Sequence, residues 1–188
     1  MAVTERLQTL ITRVRAVVRR RSGPGMIANG VAALLERDLT AEDLLLPEQC
    51  APDPLRYRQH VLHVEADGSF SIVSLVWLPG QATPIHDHVS WCVVGVHRGR
   101  EFETRYRIVP QNGVDALIEV GRSVNETGSS VALAPPGDIH EVANRGDGLA
   151  ISLHVYGADM AKLGSSIRRC YDLPVRAAAV AERAEGRA

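Results

Sequence analysis

The strongest constraint on the fold is a pattern of short segments that begins at Tyr57. From there on, apolar or alternating runs are separated by Gly, Pro, Asp and Asn, residues that favour turns. Many short strands at such spacing are typical of an antiparallel sandwich or barrel. The candidate strands cover residues 58–64, 69–78, 91–96, 101–108, 116–120, 130–134 and 150–156.

The residues before Tyr57 follow a helical pattern instead. Apolar residues recur at spacings of three and four near the N-terminus, which predicts an amphipathic helix that Thr4 can cap. A Gly- and Pro-containing run at 22–25 ends this helix. The expected helices cover 4–21, 26–37 and, as a short turn, 40–47.

These patterns predict a mostly β protein with a helical N-terminal cap. No polar linker separates the two parts, and 188 residues is an ordinary length for one domain. We therefore expect a single domain, with the cap at 1–47, the β body at 57–157 and a C-terminal extension at 158–188. The Ala- and Arg-rich end of the extension, after Val175, is expected to be helical or frayed.

Composition excludes several classes of function. A net charge of -1 provides no field that would attract nucleic acid or an anionic membrane, and the one basic run, 19–21, is expected to be a solvated helix end. Three scattered cysteines are too few for a disulfide framework, which is typical of proteins of the reducing cytosol. The charged N-terminus is unlike a signal peptide, and no apolar run is long enough to span a bilayer. The sequence therefore predicts a cytoplasmic protein that binds neither nucleic acid nor membrane.

His86 and His88 form the sharpest local signal for a metal site. On an extended segment, residues i and i+2 point to the same face, so both imidazoles can reach one ion. Such a pair alone is weak evidence, because it also occurs on solvated faces. Its surroundings strengthen it, since Gly80 lies six residues before His86 and Gly99 eleven after His88. Downstream, residues 135–144 read P-x-G-x2-H-x3-N.

These two patterns resemble the motifs of the cupin superfamily, G-x5-H-x-H-x3-E-x6-G and G-x5-P-x-G-x2-H-x3-N. The residues that fill them in register are Gly80, His86, His88 and Gly99, then Pro135, Gly137, His140 and Asn144. Gly128 lies one residue too far upstream to fill the second motif completely. The resemblance implies a jelly-roll-like cupin β-barrel with a metal ion on His86, His88 and His140.

Cys92 stands where the first motif has a glutamate, the usual fourth metal ligand. The resemblance then implies three neutral histidines and no carboxylate, although a zinc site with a Cys92 thiolate is an alternative. In this replacement of glutamate by cysteine, the sequence resembles the thiol dioxygenases related to cysteine dioxygenase. That likeness implies Fe(2+), which binds a substrate thiolate and dioxygen side by side. An uncharged ligand set suits an incoming thiolate, which brings its own negative charge.

Ser152, His154 and Tyr156 alternate along the last candidate strand and therefore share one face. An ordinary half-polar strand with a core histidine would show the same pattern. The run resembles the Ser-His-Tyr relay of thiol dioxygenases, which implies that Tyr156 points its hydroxyl at substrate and oxygen, His154 orients Tyr156, and Ser152 orients His154. In animal cysteine dioxygenases the cysteine at the Cys92 position can crosslink to the tyrosine at the Tyr156 position, whereas related bacterial enzymes have glycine there. The sequence therefore leaves open whether Cys92 and Tyr156 are joined by a thioether bond.

Gln59 and three arginines are candidates for binding a substrate carboxylate. The segment around Gln59 resembles the bacterial subgroup that oxidises 3-mercaptopropionate, in which a glutamine replaces the carboxylate-binding arginine. In that subgroup an Arg-Arg pair supplies the cation, which implies Arg168 or Arg169, with Arg169 favoured, although the spacing from the relay is longer here. Alternatively Arg58 faces inward, since alternation lets only one of Arg58 and Gln59 do so. Arginine suits the role because its guanidinium binds a carboxylate through two hydrogen bonds.

The resemblance thus implies an iron(II)-dependent thiol dioxygenase that converts 3-mercaptopropionate or L-cysteine and O2 to the sulfinate. Gln59 and the arginine pair favour the first substrate, Cys92 favours the second, and mercaptosuccinate or another thiol carboxylate is also open. The alternatives are a zinc or manganese cupin hydrolase or isomerase, and a non-catalytic cupin that binds a ligand with the help of its metal. The expected partners are the thiol carboxylate and O2, in a monomer or small homo-oligomer.

Overall fold

Four short helical segments and eleven strands make up the regular structure of the computed structural model, which describes residues 2–111 and 113–177. The helical segments are α1 (Glu5–Val18), α2 (Pro24–Leu35), a 3-10 helix (Pro47–Cys50) and α3 (Met160–Leu163). The strands are β1 (Arg58–Val64), β2 (Ser71–Trp77), β3 (His86–His88), β4 (Cys92–Arg98), β5 (Arg100–Gln111), β6 (Val114–Glu126), β7 (Ser130–Leu133), β8 (His140–Ala143), β9 (Ala150–Tyr156), β10 (Ile167–Cys170) and β11 (Val175–Arg176).

The strands form two sheets. The first has the order β1-β2-β9-β4-β7, and the second has the order β10-β3-β8-β5-β6-β11. All pairings are antiparallel except that between β6 and β11. This confirms the predicted mostly β cupin fold with N-terminal helices. The expected barrel consists of two sheets that strand pairing does not close into a ring.

The predicted helices are confirmed except for the third. Thr4 caps α1 as expected, because its hydroxyl accepts a hydrogen bond from the Leu7 backbone at 3.1 Å. In place of a helix over 40–47, the chain makes turns and a 3-10 helix starts at Pro47. Proline suits the first position of a helix, since its fixed φ is helical and it needs no hydrogen-bond acceptor there. Pro47 therefore begins a helical turn rather than ending one.

The helices cover one face of the first sheet. The apolar stripe of α1 and the buried side of α2 pack in one cluster with Ile151, Leu153 and Val155 of β9. The alternate residues of β9 lie on its opposite face, as strand geometry requires. Helices and strands therefore share this core, and the division into one domain stays a prediction.

Four strands were not predicted: β3, β8, β10 and β11. Each is two to four residues long, too short for an alternating pattern to stand out in the sequence. Two of them, β3 and β8, carry the histidines of the cupin motifs. The predicted helical or frayed end of the chain lies, from residue 178 onward, outside the described residues.

None of the helices in the described part of the chain combines the length and the apolar character needed to cross a bilayer. The expected cytoplasmic location and oligomeric state stay predictions.

Candidate active site

Three histidines meet between the sheets. The pairing of β3 with β8 sets His86 directly opposite His140, and His88 lies two residues further along the same face of β3. All three side chains are buried. Each offers one ring nitrogen, and these three nitrogens lie within 4.8 Å of one another. The two cupin motifs, about fifty residues apart in sequence, are thus joined by a single antiparallel pairing.

Hydrogen bonds at Nδ1 fix the orientation of each ring. These bonds connect His86 to the Pro84 carbonyl at 2.9 Å, His88 to Asp138 Oδ2 at 3.0 Å, and His140 to Glu103 Oε1 at 2.8 Å. An imidazole that donates from Nδ1 keeps a free lone pair on Nε2. The Nε2 of His140 is buried and has no partner among the described residues. The donor set therefore fits a divalent transition metal that accepts imidazole nitrogen.

The electrostatics of the cluster agree with neutral ligands. Burial, together with the neighbouring His140 and His88, lowers the pKa of His86 to about 3, so this ring is uncharged at neutral pH. Burial alone would raise the pKa of Asp138 and of Glu103. Hydrogen bonds from the histidines outweigh that cost, and the pKa of each carboxyl is lowered. Two ionised carboxylates thus stand behind the rings.

A second group of polar side chains lies on the inner face of β9. Ser152 Oγ lies 2.9 Å from His154 Nε2, and Tyr156 Oη lies 3.0 Å from His154 Nδ1. The indole nitrogen of Trp77 donates to Ser152 Oγ at 3.3 Å. Burial and the neighbouring metal-site histidines hold the pKa of His154 well below its usual value, and burial raises the pKa of Tyr156 well above its own. The chain therefore joins a neutral imidazole to a protonated phenol.

One cavity brings the two groups together. The ring centroids of His88 and Tyr156 are 6.2 Å apart. Gln59 reaches the cavity from β1, and the C-terminal extension contributes Ser165, Ser166 and Ile167 to its wall. The lining residues are Tyr57, Gln59, Leu75, Trp77, Thr83, His86, His88, His140, Val142, His154, Tyr156, Ser165, Ser166 and Ile167. The cavity is thus a mixed site, in which the histidine cluster faces both apolar and uncharged polar side chains.

A family model described as cysteine dioxygenase type I matches residues 46–165, which is more than half of the chain. The chain belongs to this family. Membership in the cysteine dioxygenase type I family implies thiol dioxygenase activity in general. The match contains all three histidines of the cluster and the whole of β9.

Several solved structures, two of them described as cupins, are similar to the chain at low identity. The protein TT1209 of Thermus thermophilus is 21% identical, with a TM-score of 0.44 over 59% of this chain and 92% of that one. An RmlC-like cupin of Desulfovibrio desulfuricans is 21% identical, with a TM-score of 0.43 over 60% and 92%. A Cupin 2 conserved barrel domain protein of Salinispora arenicola is 20% identical, with a TM-score of 0.42 over 62% and 88%. These likenesses carry no information on substrate or metal.

In this member of the cysteine dioxygenase family, Cys92 lies next to the relay rather than on the metal site. It is fully buried and stands directly opposite Tyr156 in the pairing of β4 with β9. Burial, followed by the charges of Asp138 and Glu101, raises the pKa of its thiol well above the usual value, against a hydrogen bond with Tyr156. Cys92 is therefore a protonated thiol across the strand pair from the tyrosine, and it is absent from the cluster of metal-binding groups found in the described residues.

The arginines considered for substrate binding lie outside the cavity lining. Arg58 is exposed on β1, and its neighbour Gln59, although also exposed, lines the cavity. Arg168 forms an ion pair with the buried Asp87, which also accepts a hydrogen bond from the Tyr171 hydroxyl at 2.8 Å. Arg169 is exposed, and its guanidinium lies 5.7 Å from the centre of the Tyr171 ring. The structure thus brings Gln59 to the site and leaves the three guanidinium groups outside it.

Sequence reasoning missed three residues that support the site. Asp138 lies inside the second cupin motif, two residues before His140, so its position offered a signal. Glu103 lies on a different strand, and its sequence position gave no such signal. Its hydrogen bond with His140 depends on the pairing of β5 with β8. Trp77 ends an apolar strand, and only the structure shows that its indole donates to the relay.

Replacing Glu103 by glutamine should weaken metal binding. Glutamine keeps an oxygen that can accept the hydrogen bond from His140, but it removes the negative charge that makes the imidazole a stronger ligand. We expect the affinity for zinc or iron(II) to fall about 10- to 100-fold, the usual effect of such a partner. Competition with a chromogenic chelator measures this change.

Glu65→Gln is the matched control, since Glu65 is a buried carboxylate that binds Arg15 away from the cavity. Its metal affinity should equal that of the wild type. Equal affinities in all three proteins would show that Glu103 does not strengthen the ligand.

Proposed function

We propose that the protein is an iron(II)-dependent thiol dioxygenase that converts a small thiol carboxylate and O2 to a sulfinate. The observation that carries this proposal is a cluster of three histidines, with no carboxylate in it, that shares one cavity with His154 and Tyr156 of a buried Ser-His-Tyr chain. Iron(II) would be held by His86, His88 and His140, and when bound it supplies coordination positions for a thiolate and for dioxygen. Family membership supports the same assignment.

The charges around the cavity suit an anionic substrate. The imidazole ligands add no negative charge, and the carboxylates of Asp138 and Glu103 are turned away behind the rings. Tyr156 remains protonated, so its hydroxyl is available to donate a hydrogen bond to the substrate or to oxygen. His154 holds the phenol in place, and side chains such as Leu75 and Val142 exclude water from the reacting groups.

An oxygen electrode tests the reaction directly. Iron-loaded protein is expected to consume one O2 per molecule of one of four thiols: 3-mercaptopropionate, cysteine, cysteamine or mercaptosuccinate. Mass spectrometry should find both atoms of labelled dioxygen in the sulfinate. The zinc-loaded protein is the matched control, since the same ligands then hold a metal without redox chemistry and no oxygen should be consumed.

Two other results would replace this assignment. Turnover that continues without oxygen would indicate a zinc or manganese hydrolase or isomerase. Thiol binding without any turnover would indicate a cupin that only binds its ligand.

For the substrate, we propose 3-mercaptopropionate ahead of L-cysteine. Gln59 lines the cavity, and its amide can donate a hydrogen bond to a carboxylate. Arg168 already neutralises Asp87, whereas Arg169 has no carboxylate partner among the described residues. Arg169 also lies only two positions beyond Ile167, which lines the cavity. We therefore propose Gln59 and Arg169 as the groups that bind the carboxylate, with Arg58 and Arg168 as the less favoured arginines.

Alanine at Gln59 or Arg169 should raise the KM for the thiol carboxylate about 10- to 100-fold and leave kcat nearly unchanged, because the carboxylate lies away from the reacting sulfur. Arg58→Ala and Arg168→Ala are the comparison variants, and their KM should stay near that of the wild type. Cysteamine, which has no carboxylate, should show no such effect in any variant. If the KM is unchanged in all four proteins, none of these residues recognises the carboxylate.

We further propose that Cys92 and Tyr156 can form a thioether. The two residues are direct cross-strand neighbours, and both side chains are buried. Bond formation between Sγ and the phenol ring removes two hydrogen atoms, with dioxygen as the oxidant. After aerobic turnover, the intact mass should therefore fall by two hydrogens in a form that reductant does not reverse. Cys92→Ser is the control and should show no loss; a wild-type mass that matches the sequence after many turnovers would exclude the bond.

A further inference from the structure

Asp87 is a buried carboxylate that belongs to neither the metal cluster nor the relay. It lies between His86 and His88 on β3, and because side chains alternate along a strand, it points away from the face that holds the histidines. Its exposed fraction is 1%. Oδ2 accepts hydrogen bonds from Arg168 and from the Tyr171 hydroxyl, whereas Oδ1 has no partner among the described residues. A buried charge is costly unless it is paired, so Asp87 depends on these two bonds.

Both partners of this carboxylate come from one short segment, residues 165–171, which we call the wall segment. It contains β10, which lies at the edge of the second sheet and pairs with β3. At one end, the Val89 backbone N–H donates to the Ser166 carbonyl at 3.0 Å. At the other end, the Tyr171 N–H donates to the Ile85 carbonyl at 2.9 Å. The residues of β10 between these bonds are exposed or half-buried, so little apolar burial holds them in place.

The wall segment closes one side of the cavity. Its first three residues, 165–167, line the cavity, and Ile167 stands opposite His88 in the pairing of β10 with β3. The lining residues and the clustered histidines therefore share one side of this strand pair. Asp87 bonds its two partners on the other side. The position of the wall thus depends on the position of β3.

The strand β3 is itself held by few interactions. It is three residues long, and in the described part of the chain its register with β8 consists of the single pair His86 and His140. A metal ion bound by His86, His88 and His140 would join β3 to β8 through side chains as well. Metal binding should therefore restrain β3, together with the segment that is attached to it.

We propose that Asp87 couples the metal site to the wall of the cavity, so that a metal ion on the histidines keeps the wall segment closed. Asp87 touches neither the metal nor the substrate and is therefore a positioning residue. Tyr171 contributes more to the coupling than Arg168, because 57% of the Arg168 side chain is exposed and water screens its ion pair. Coupling is reciprocal, so the closed wall must strengthen metal binding by the same factor. This inference rests on the proposed metal site and not on the oxidation of a thiol.

Hydrogen exchange of the full-length protein measures the coupling without turnover. In the wild type, zinc should slow the exchange of amides in the wall segment about 10-fold, because it suppresses opening of the wall. In Asp87→Ala and Tyr171→Phe this slowing should disappear from the wall segment and remain in β8. Arg168→Ala should keep most of it, since the hydrogen bond from Tyr171 stays in place.

Tyr106→Phe is the matched control. Tyr106 belongs to the apolar cluster against which Tyr171 packs, and its hydroxyl donates to Glu141 at 3.3 Å instead of to Asp87. Its zinc-dependent slowing should equal that of the wild type. A merely structural role of Asp87 would speed exchange with and without zinc and leave the zinc-dependent slowing in place. If Asp87→Ala does not fold, Tyr171→Phe, which lacks a single oxygen atom, decides the question.

Metal affinity provides the second measurement. Because the coupling is reciprocal, Asp87→Ala and Tyr171→Phe should weaken zinc binding about 10-fold, by the factor that protection of the wall segment loses. Tyr106→Phe should bind zinc as the wild type does. Competition with a chromogenic chelator measures all four proteins.

The outcomes separate this inference from the proposed function. A wild-type protein that binds neither zinc nor iron(II) overturns the proposed metal site and this inference with it. Zinc binding that leaves exchange of the wall segment unchanged overturns the coupling alone, and so does a zinc-dependent slowing that persists in Asp87→Ala and Tyr171→Phe. An iron-loaded wild type that oxidises no thiol overturns the proposed reaction, while the exchange measurement still decides the role of Asp87.

Discussion

The hydrogen bonds at the Nδ1 atoms of the three clustered histidines are the interactions on which the rest of the site depends. Without an acceptor behind each ring, a buried imidazole could turn or place its hydrogen on either nitrogen, and three lone pairs would not converge. The acceptors come from three different parts of the chain, namely the Pro84 carbonyl, Asp138 and Glu103. Two of them are buried carboxylates that are stable as anions because the histidines hydrogen-bond to them. Rings and acceptors are therefore mutually dependent.

The strand β9 of the first sheet links the stability of the fold to the chemistry of the cavity. One face of β9 lies in the apolar core with the N-terminal helices, while the other face holds Ser152, His154 and Tyr156. A shift of one residue in the pairing of β9 would exchange the two faces. It would place an imidazole among leucines and valines and leave apolar side chains facing the metal site. The packed helices thus fix the register that keeps the relay in the cavity.

The parts that sequence could predict are those in which the functional groups lie close together along the chain. The three clustered histidines and the alternating residues of β9 carry local patterns. The structure places the cluster, His154 and Tyr156 around one cavity, with Ser152 bonded to His154 behind them. Glu103 could not be found in this way, because its partner His140 lies on a strand that is distant in sequence. The order and length of the strands β3 and β8 were also beyond prediction, since a strand of three or four residues has too few positions to show a period.

The side chain of Asp87, between the two histidines of β3, bonds Arg168 and Tyr171 and so fastens the ligand-bearing strand to the segment after α3. That same segment supplies Ser166 and Ile167 to the wall of the cavity. During synthesis, a ribosome releases the C-terminal part of a chain last. The cavity therefore stays open on one side until this segment has been synthesised and packed, and a nascent polypeptide that has already formed the central strands of both sheets still lacks a closed compartment.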